Sequence, residues 1–169
     1  MTTDQTGSSQ KREFIIQRVY VKDLSLECPQ SPQVFQEEWK PELNLDFTMN
    51  ANSIDISIQE VVLQIMVTAK SAGKILFLVE IKQAGVFKLT DFTDEENQQL
   101  LNITCPTILF PYAREAVSDL VGKAGFPPLY LAPVNFEALY IQRLQEKAKK
   151  DGNGSTTKKA NSENSTITH

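Results

Sequence analysis

The sequence predicts an α+β fold: a four-stranded antiparallel sheet followed by C-terminal helices packed on one face. Three observations carry this. Up to Asp91 apolar and polar residues alternate with period two, as in half-buried strands. After Asp91 the pattern turns helical. No helical stretch separates the strands, which argues against the crossovers of a parallel, doubly wound sheet.

In chain order, residues 1–13 are expected to form a flexible, polar N-terminal arm. Val19 to Glu27 reads as a strand, with Leu24 and Leu26 opposed to Asp23, Ser25 and Glu27. A loop follows from Cys28 to Pro41, carrying Pro29, Pro32 and the single tryptophan, Trp39. Leu43, Leu45, Phe47 and Met49 then alternate with Asn44, Asp46 and Thr48. Ile54, Ile56 and Ile58 keep one phase and Val61, Leu63, Ile65 and Val67 the other, which predicts one long strand with a bulge or bend at Gln59-Glu60. Ser71-Ala72-Gly73-Lys74 is a hairpin turn, after which Ile75, Phe77, Val79 and Ile81 face away from Leu76, Leu78, Glu80 and Lys82. Thr93-Asp94-Glu95-Glu96 is a capping box that opens a helix. A second helix is expected over Thr107 to Gly122, with Pro111 near its start. A last one begins at Pro133 and ends near Lys147, and a polar, disordered tail occupies 147–169.

Composition excludes whole classes of chemistry. Histidine occurs once, as His169, so no histidine can act inside the fold as base, acid or metal ligand. Cys28 and Cys105 form no CxxC pair, and each precedes a proline, which marks the end of one element and the start of another. A net charge of −4 argues against nucleic-acid binding. No run reaches the roughly 18 apolar residues of a bilayer span. The polar start is no secretory leader, which predicts a chain that stays in the compartment where it is made. Glycine-rich phosphate motifs are missing, and with them any expected nucleotide cofactor. Arg114 and Glu115 could be catalytic or could simply pair at a rim.

Three features ask for partners. The stretch 107–121 is apolar over far more than the usual face of a surface helix, so it is either buried within one chain or covered by another subunit. The last strand is apolar on both sides, as a central strand or a pairing edge would be. Val34, Phe35 and Trp39, stiffened by prolines, wall an apolar groove or plug their own core. On these grounds alone the chain is an α+β oligomer that binds something apolar and is not an enzyme.

Longer stretches carry a resemblance. Cys105-Pro106-Thr107-Ile108-Leu109-Phe110-Pro111-Tyr112-Ala113-Arg114-Glu115 is similar to the signature of SecB, the bacterial protein-export chaperones. So is Gly125-Phe126-Pro127-Pro128-Leu129-Tyr130-Leu131-Ala132-Pro133-Val134-Asn135-Phe136, as is Tyr20-Val21-Lys22-Asp23-Leu24-Ser25 with Glu27. The likeness spans 14–146. It implies a cytoplasmic homotetramer, a dimer of dimers, that needs no ATP or cofactor. Such a protein holds unfolded precursors and delivers them to the SecA motor, without inserting in the membrane. A non-catalytic scaffold for a folded partner is the alternative.

Position by position, the resemblance implies an acidic SecA-docking face of Asp23, Glu27, Leu78 and Glu80. It implies a client groove from Phe35, Trp39, Pro41 and Leu43 with Phe136, Tyr140 and Leu144, and an oligomer contact through Phe77, Val79, Ile81 and Gln83. The sequence departs from the family pattern in its basic tail, with Lys147, Lys149, Lys150, Lys158 and Lys159.

Overall fold

The computed structural model describes residues 11–153, with side chains to residue 150. Most of the expected arm and all of the tail beyond residue 153 lie outside the described residues. The chain forms two compact units, Met1–Phe136 and Glu137–His169. In the first, strands β1 (Glu13–Glu27), β2 (Glu42–Asp55), β3 (Ile58–Ser71) and β4 (Lys74–Thr90) make one antiparallel sheet in the order β1-β4-β3-β2. The last three strands follow one another by tight hairpins. β1 reaches its place beside β4 through the 28–41 connection, which passes from one edge of the sheet to the other. Helices α1 (Asp94–Gln99) and α2 (Cys105–Lys123) follow, with α2 packed on one face of the sheet.

β1 starts six residues earlier than the alternation predicts, at Glu13 instead of Val19, because its period is broken twice. The register against β4 shifts between Ile16 and Arg18 and again between Val21 and Asp23, so Gln17 and Lys22 are extra residues. Each bulge flips the parity of the residues beyond it. Phe14 and Ile16, then Val19 and Val21, then Leu24 and Leu26 thereby all face the helix side, opposite Leu89, Phe87, Gly85, Gln83, Ile81 and Val79. A strict period-two reading sees only the last segment.

The single bent strand expected over Ile54–Val67 is instead the end of β2, a hairpin turn at Ile56-Ser57, and β3. The sequence conceals this turn because it has neither glycine nor proline. Side chains build it: the Asp55 carboxylate accepts from the Ile56 amide at 2.7 Å, and the Ser53 hydroxyl donates to the Asp55 carbonyl at 3.0 Å. The β3–β4 turn is as predicted, with Ala72 and Gly73 both at positive φ, 48° and 77°.

The capping box is present: the Glu96 amide donates to Thr93 Oγ1 at 3.2 Å, and Glu96 Oε2 accepts from the Thr93 amide at 2.9 Å. Cys105-Pro106 opens α2, as expected, but without a break in the helical path. Proline has no amide hydrogen, and its ring would crowd the carbonyl of Asn102. The chain responds with one wide π turn over Leu100–Thr104, in which the Cys105 amide reaches the Leu100 carbonyl. Asn102 Nδ2 covers the Gln98 carbonyl at 2.8 Å. Helical structure therefore runs unbroken from Asp94 to Lys123.

Cys105, Leu109, Ala113, Val117 and Val121 recur every four residues on α2 and are fully buried. They meet Val61, Leu63, Ile65 and Val67 of β3 and Phe77, Val79 and Ile81 of β4, all equally buried. Gly85 permits the close approach, since a Cβ there would lie 2.7 Å from the Phe87 ring and 3.0 Å from Leu109. The stretch read as apolar all round has Pro111, Tyr112, Arg114, Glu115 and Asp119 exposed, with Ile108, Ala116 and Leu120 half-buried on its flanks. Helix α3 (Phe136–Asn153), which belongs to the second unit from Glu137 on, extends past the expected Lys147.

Candidate functional site

Two regions gather the residues that the sequence singles out. The first is the sheet face turned away from α2. Directly opposed residues of antiparallel strands share a face. Asp23 stands opposite Lys82, Ser25 opposite Glu80 and Glu27 opposite Leu78. Asp23, Glu27, Leu78 and Glu80 therefore lie together on the open face of β1 and β4. Two further residues join them: Lys82, which the alternation of β4 already puts on this face, and Gln64, which sequence reasoning leaves out. Lys82 Nζ sits 3.3 Å from Asp23 Oδ2 and 3.5 Å from Glu80 Oε1, and Gln64 Nε2 of β3 donates to Glu80 Oε1 at 2.9 Å. The hydrogen bond and charge of Asp23, with a smaller contribution from Glu80, hold the Lys82 ammonium above its usual range. Gln64 belongs to another strand, so only the β3–β4 register, which sets it opposite Lys82, brings it here.

Next to this patch, Glu60 accepts from the Tyr20 hydroxyl and from Lys22, whose Nζ is 2.8 Å from Oε2. The Lys22 bond and then the Tyr20 bond lower the Glu60 carboxyl below the usual range, while Glu60 raises the Tyr20 phenol to about 12.

The second region surrounds the 28–41 connection. A short 3-10 turn, Gln33–Gln36, is closed by the Val34 amide on the Gln30 carbonyl at 2.9 Å and anchored by buried Val34. It presents Phe35 and Trp39 to one shared support, Phe126. Both ring centroids lie 5.4 Å from that of Phe126, which in turn sits 5.2 Å from Phe77. Phe126 is 5% exposed, whereas Phe35 and Trp39 keep 51% and 40% of their surface open. The neighbouring Gly125 has φ +89°, and a Cβ on it would come within 3.3 Å of the Phe35 ring. The loop thus plugs its own core with one side and leaves aromatic surface open on the other. Sequence reasoning missed Phe126 as the hub, although an aromatic between Gly125 and Pro127 is the available signal.

Pro41 is half-buried and Leu43 is 49% exposed at the start of edge strand β2. Leu45, Phe47 and Met49 continue its helix-side row, half-buried beside α2, with Phe47 packed 6.2 Å from Phe110. Phe136 is 2% exposed and meets Phe110 edge-on at 5.8 Å, so it lies in the core. Tyr140 and Leu144 lie one turn apart on α3 in the second unit. Phe77, Val79, Ile81 and Gln83 are 0–2% exposed within the single chain, on the face covered by α2. Arg114 and Glu115 line an open depression of about 620 Å³ on the outer side of α2, beside the Lys123–Asp119 ion pair. No helix among the described residues is long and apolar enough to cross a membrane.

The family model described as "Preprotein translocase subunit SecB" matches residues 7–147. The protein-export protein SecB of Thioalkalivibrio sulfidiphilus is 56% identical over 137 residues, covering 80% of this chain and 82% of the relative. That of Nitrosococcus oceani is 51% identical over 149 residues, covering 86% and 91%. Among solved structures, the Rv1957 SecB-like chaperone of Mycobacterium tuberculosis, in complex with a ChAD peptide from the Rv1956 HigA1 antitoxin, superposes with a TM-score of 0.61 at 23% identity. It covers 72% of this chain and 90% of that one and shares the fold. With a family model over nearly its whole described length and relatives above half identity, the chain belongs to the SecB family of protein-export chaperones.

Proposed function

We propose that this chaperone is a cytoplasmic, ATP-independent holdase. It binds unfolded precursors in apolar grooves, keeps them competent for translocation and hands them to SecA through its acidic sheet face. The observation that carries the reading is the half-open aromatic stack of Phe35 and Trp39 on Phe126. Rings held in place on one side have little freedom left to lose when an apolar segment covers the other. The peptide held by the Mycobacterium tuberculosis SecB-like chaperone supports it. Pro41 and Leu43 extend this surface along β2 and Phe136 supports it from the core, while Tyr140 and Leu144, in the second unit, offer clients apolar side chains of their own helix.

The working form is a homotetramer, a dimer of dimers, built on the 14–146 domain between an N-terminal arm (1–13) and a polar tail (147–169). Burying about 400 Å² of apolar surface contributes on the order of 10 kcal/mol before ordering losses, so a single groove binds weakly. Several grooves filled by one long client bind tightly, because each added contact is intramolecular. Phe77, Val79, Ile81 and Gln83, the residues assigned to the oligomer contact, serve the assembly by seating α2, whose outer face meets the neighbouring subunit. A folded protein hides its apolar segments and is not held.

The docking face offers carboxylates around Leu78, a surface suited to a basic partner with an apolar contact. The deciding experiment is suppression of aggregation of an unfolded precursor without ATP, with SecA affinity titrated in parallel for Glu80→Lys. Client holding should persist in that variant while SecA affinity falls; no protection of the precursor by the unmodified protein sinks the reading.

A further inference from the structure

Gln83 is the one polar side chain among the buried residues described, at 2% exposure, between Leu63 of β3 and Val21 of β1. An amide in such a layer is costly unless it is hydrogen-bonded. Its partner is not another side chain. Gln83 Nε2 donates to the main-chain carbonyl of Tyr20 at 2.9 Å. Tyr20 lies two residues before Lys22, the extra residue of the second β1 bulge, where the ladder with β4 is interrupted. The amide therefore gives the strand a fixed point immediately before its register changes.

That register change decides which way the acids point. Val21 faces the helices. In an unbroken strand Asp23, Ser25 and Glu27 would follow it inward, and Leu24 and Leu26 would turn out to solvent. The bulge reverses this and sets Asp23 and Glu27 beside Leu78 and Glu80. We propose that Gln83 is a positioning residue for the docking face: its buried amide, bound to the Tyr20 carbonyl, anchors the bulge at Lys22 that turns Asp23 and Glu27 outward. The inference rests on the reading of that face as the SecA contact. It separates Gln83 from Phe77, Val79 and Ile81, which share its face but have no polar atom to place.

The test is Gln83→Met, which keeps length and volume and removes the donor, with Gln83→Asn as a second variant whose amide is too short to reach. Amide hydrogen exchange should quicken by roughly tenfold at residues 20–24, the worth of one lost hydrogen bond, and stay unchanged at 14–16. SecA affinity, read on the tetrameric fraction, should fall. Unaltered exchange at 20–24, loosening spread evenly over the four strands, or unchanged SecA affinity of that fraction beside quickened exchange would overturn the inference. Glu80→Lys separates the two readings: if it leaves SecA affinity intact the docking assignment falls, whereas the exchange pattern still decides what anchors the bulge.

Discussion

Lys82 stands opposite Asp23 across the β1–β4 ladder and ties it down, with Nζ 3.3 Å from Oδ2 while also lying 3.5 Å from Glu80. A single cation thus bridges two of the three carboxylates assigned to the docking face and softens their field.

Lys82→Gln should therefore strengthen binding of a basic partner. We expect SecA affinity to rise by about threefold at low salt, the scale of one exposed charge pair, with the gain fading as salt screens the patch. Titration at two ionic strengths checks this; weaker binding at low salt would show that Lys82 is itself a contact.

Trp39→Ala and Phe126→Ala should divide holding from folding. Trp39 is partly open, so its loss should weaken precursor binding with little change in melting temperature. Phe126 is buried beneath three rings. Its truncation should cost about 3–5 kcal/mol of stability and disorder the loop. Thermal melts and aggregation-suppression assays on both variants distinguish the outcomes.

The Tyr20–Glu60 hydrogen bond gives an alkaline signature. The folded state raises the Tyr20 phenol from 10.0 to about 12. A raised value contributes stability that is fully present below the unfolded value and is lost as pH climbs through the folded one. The stability difference between wild type and Tyr20→Phe should stay constant below pH 10.0 and shrink towards pH 12. Denaturant midpoints of both proteins across that range test the sign, and the tyrosine's partial exposure keeps the effect small.

Gly85→Ala should strain the contact between sheet and helix, because the added methyl meets the Phe87 ring and Leu109. A loss of about 1–3 kcal/mol is expected. An unchanged melting temperature would mean that the Phe87 ring moves aside freely.

Much of this fold was legible where one physical signal acted alone. The capping box at Thr93, the Ala72-Gly73 turn and the alternation from Leu43 to Met49 each follow a local rule that tertiary structure left intact. Reading failed where two signals were superposed. The bulges at Gln17 and Lys22 hid the first half of β1, and the hairpin at Ile56-Ser57, made by Asp55 and Ser53 side chains, passed for a kink. Parity alone put Asp23 with Glu27 and Leu78 with Glu80, yet pairing the two sets required the register. Phe126 was invisible as a hub because ring stacking between distant segments leaves no periodicity.

The wide turn at Leu100–Thr104 has a geometric effect downstream. An ordinary helix advances about 100° per residue, so lodging one surplus residue in a single turn rotates everything after it by that angle. The azimuth of the Leu109–Val121 stripe against the sheet is thus uncoupled from the azimuth of the acidic cap at Asp94. Excising one residue from that turn would swing Arg114 and Glu115 towards the sheet and lift the stripe out of it, without altering a single side chain of the helix itself.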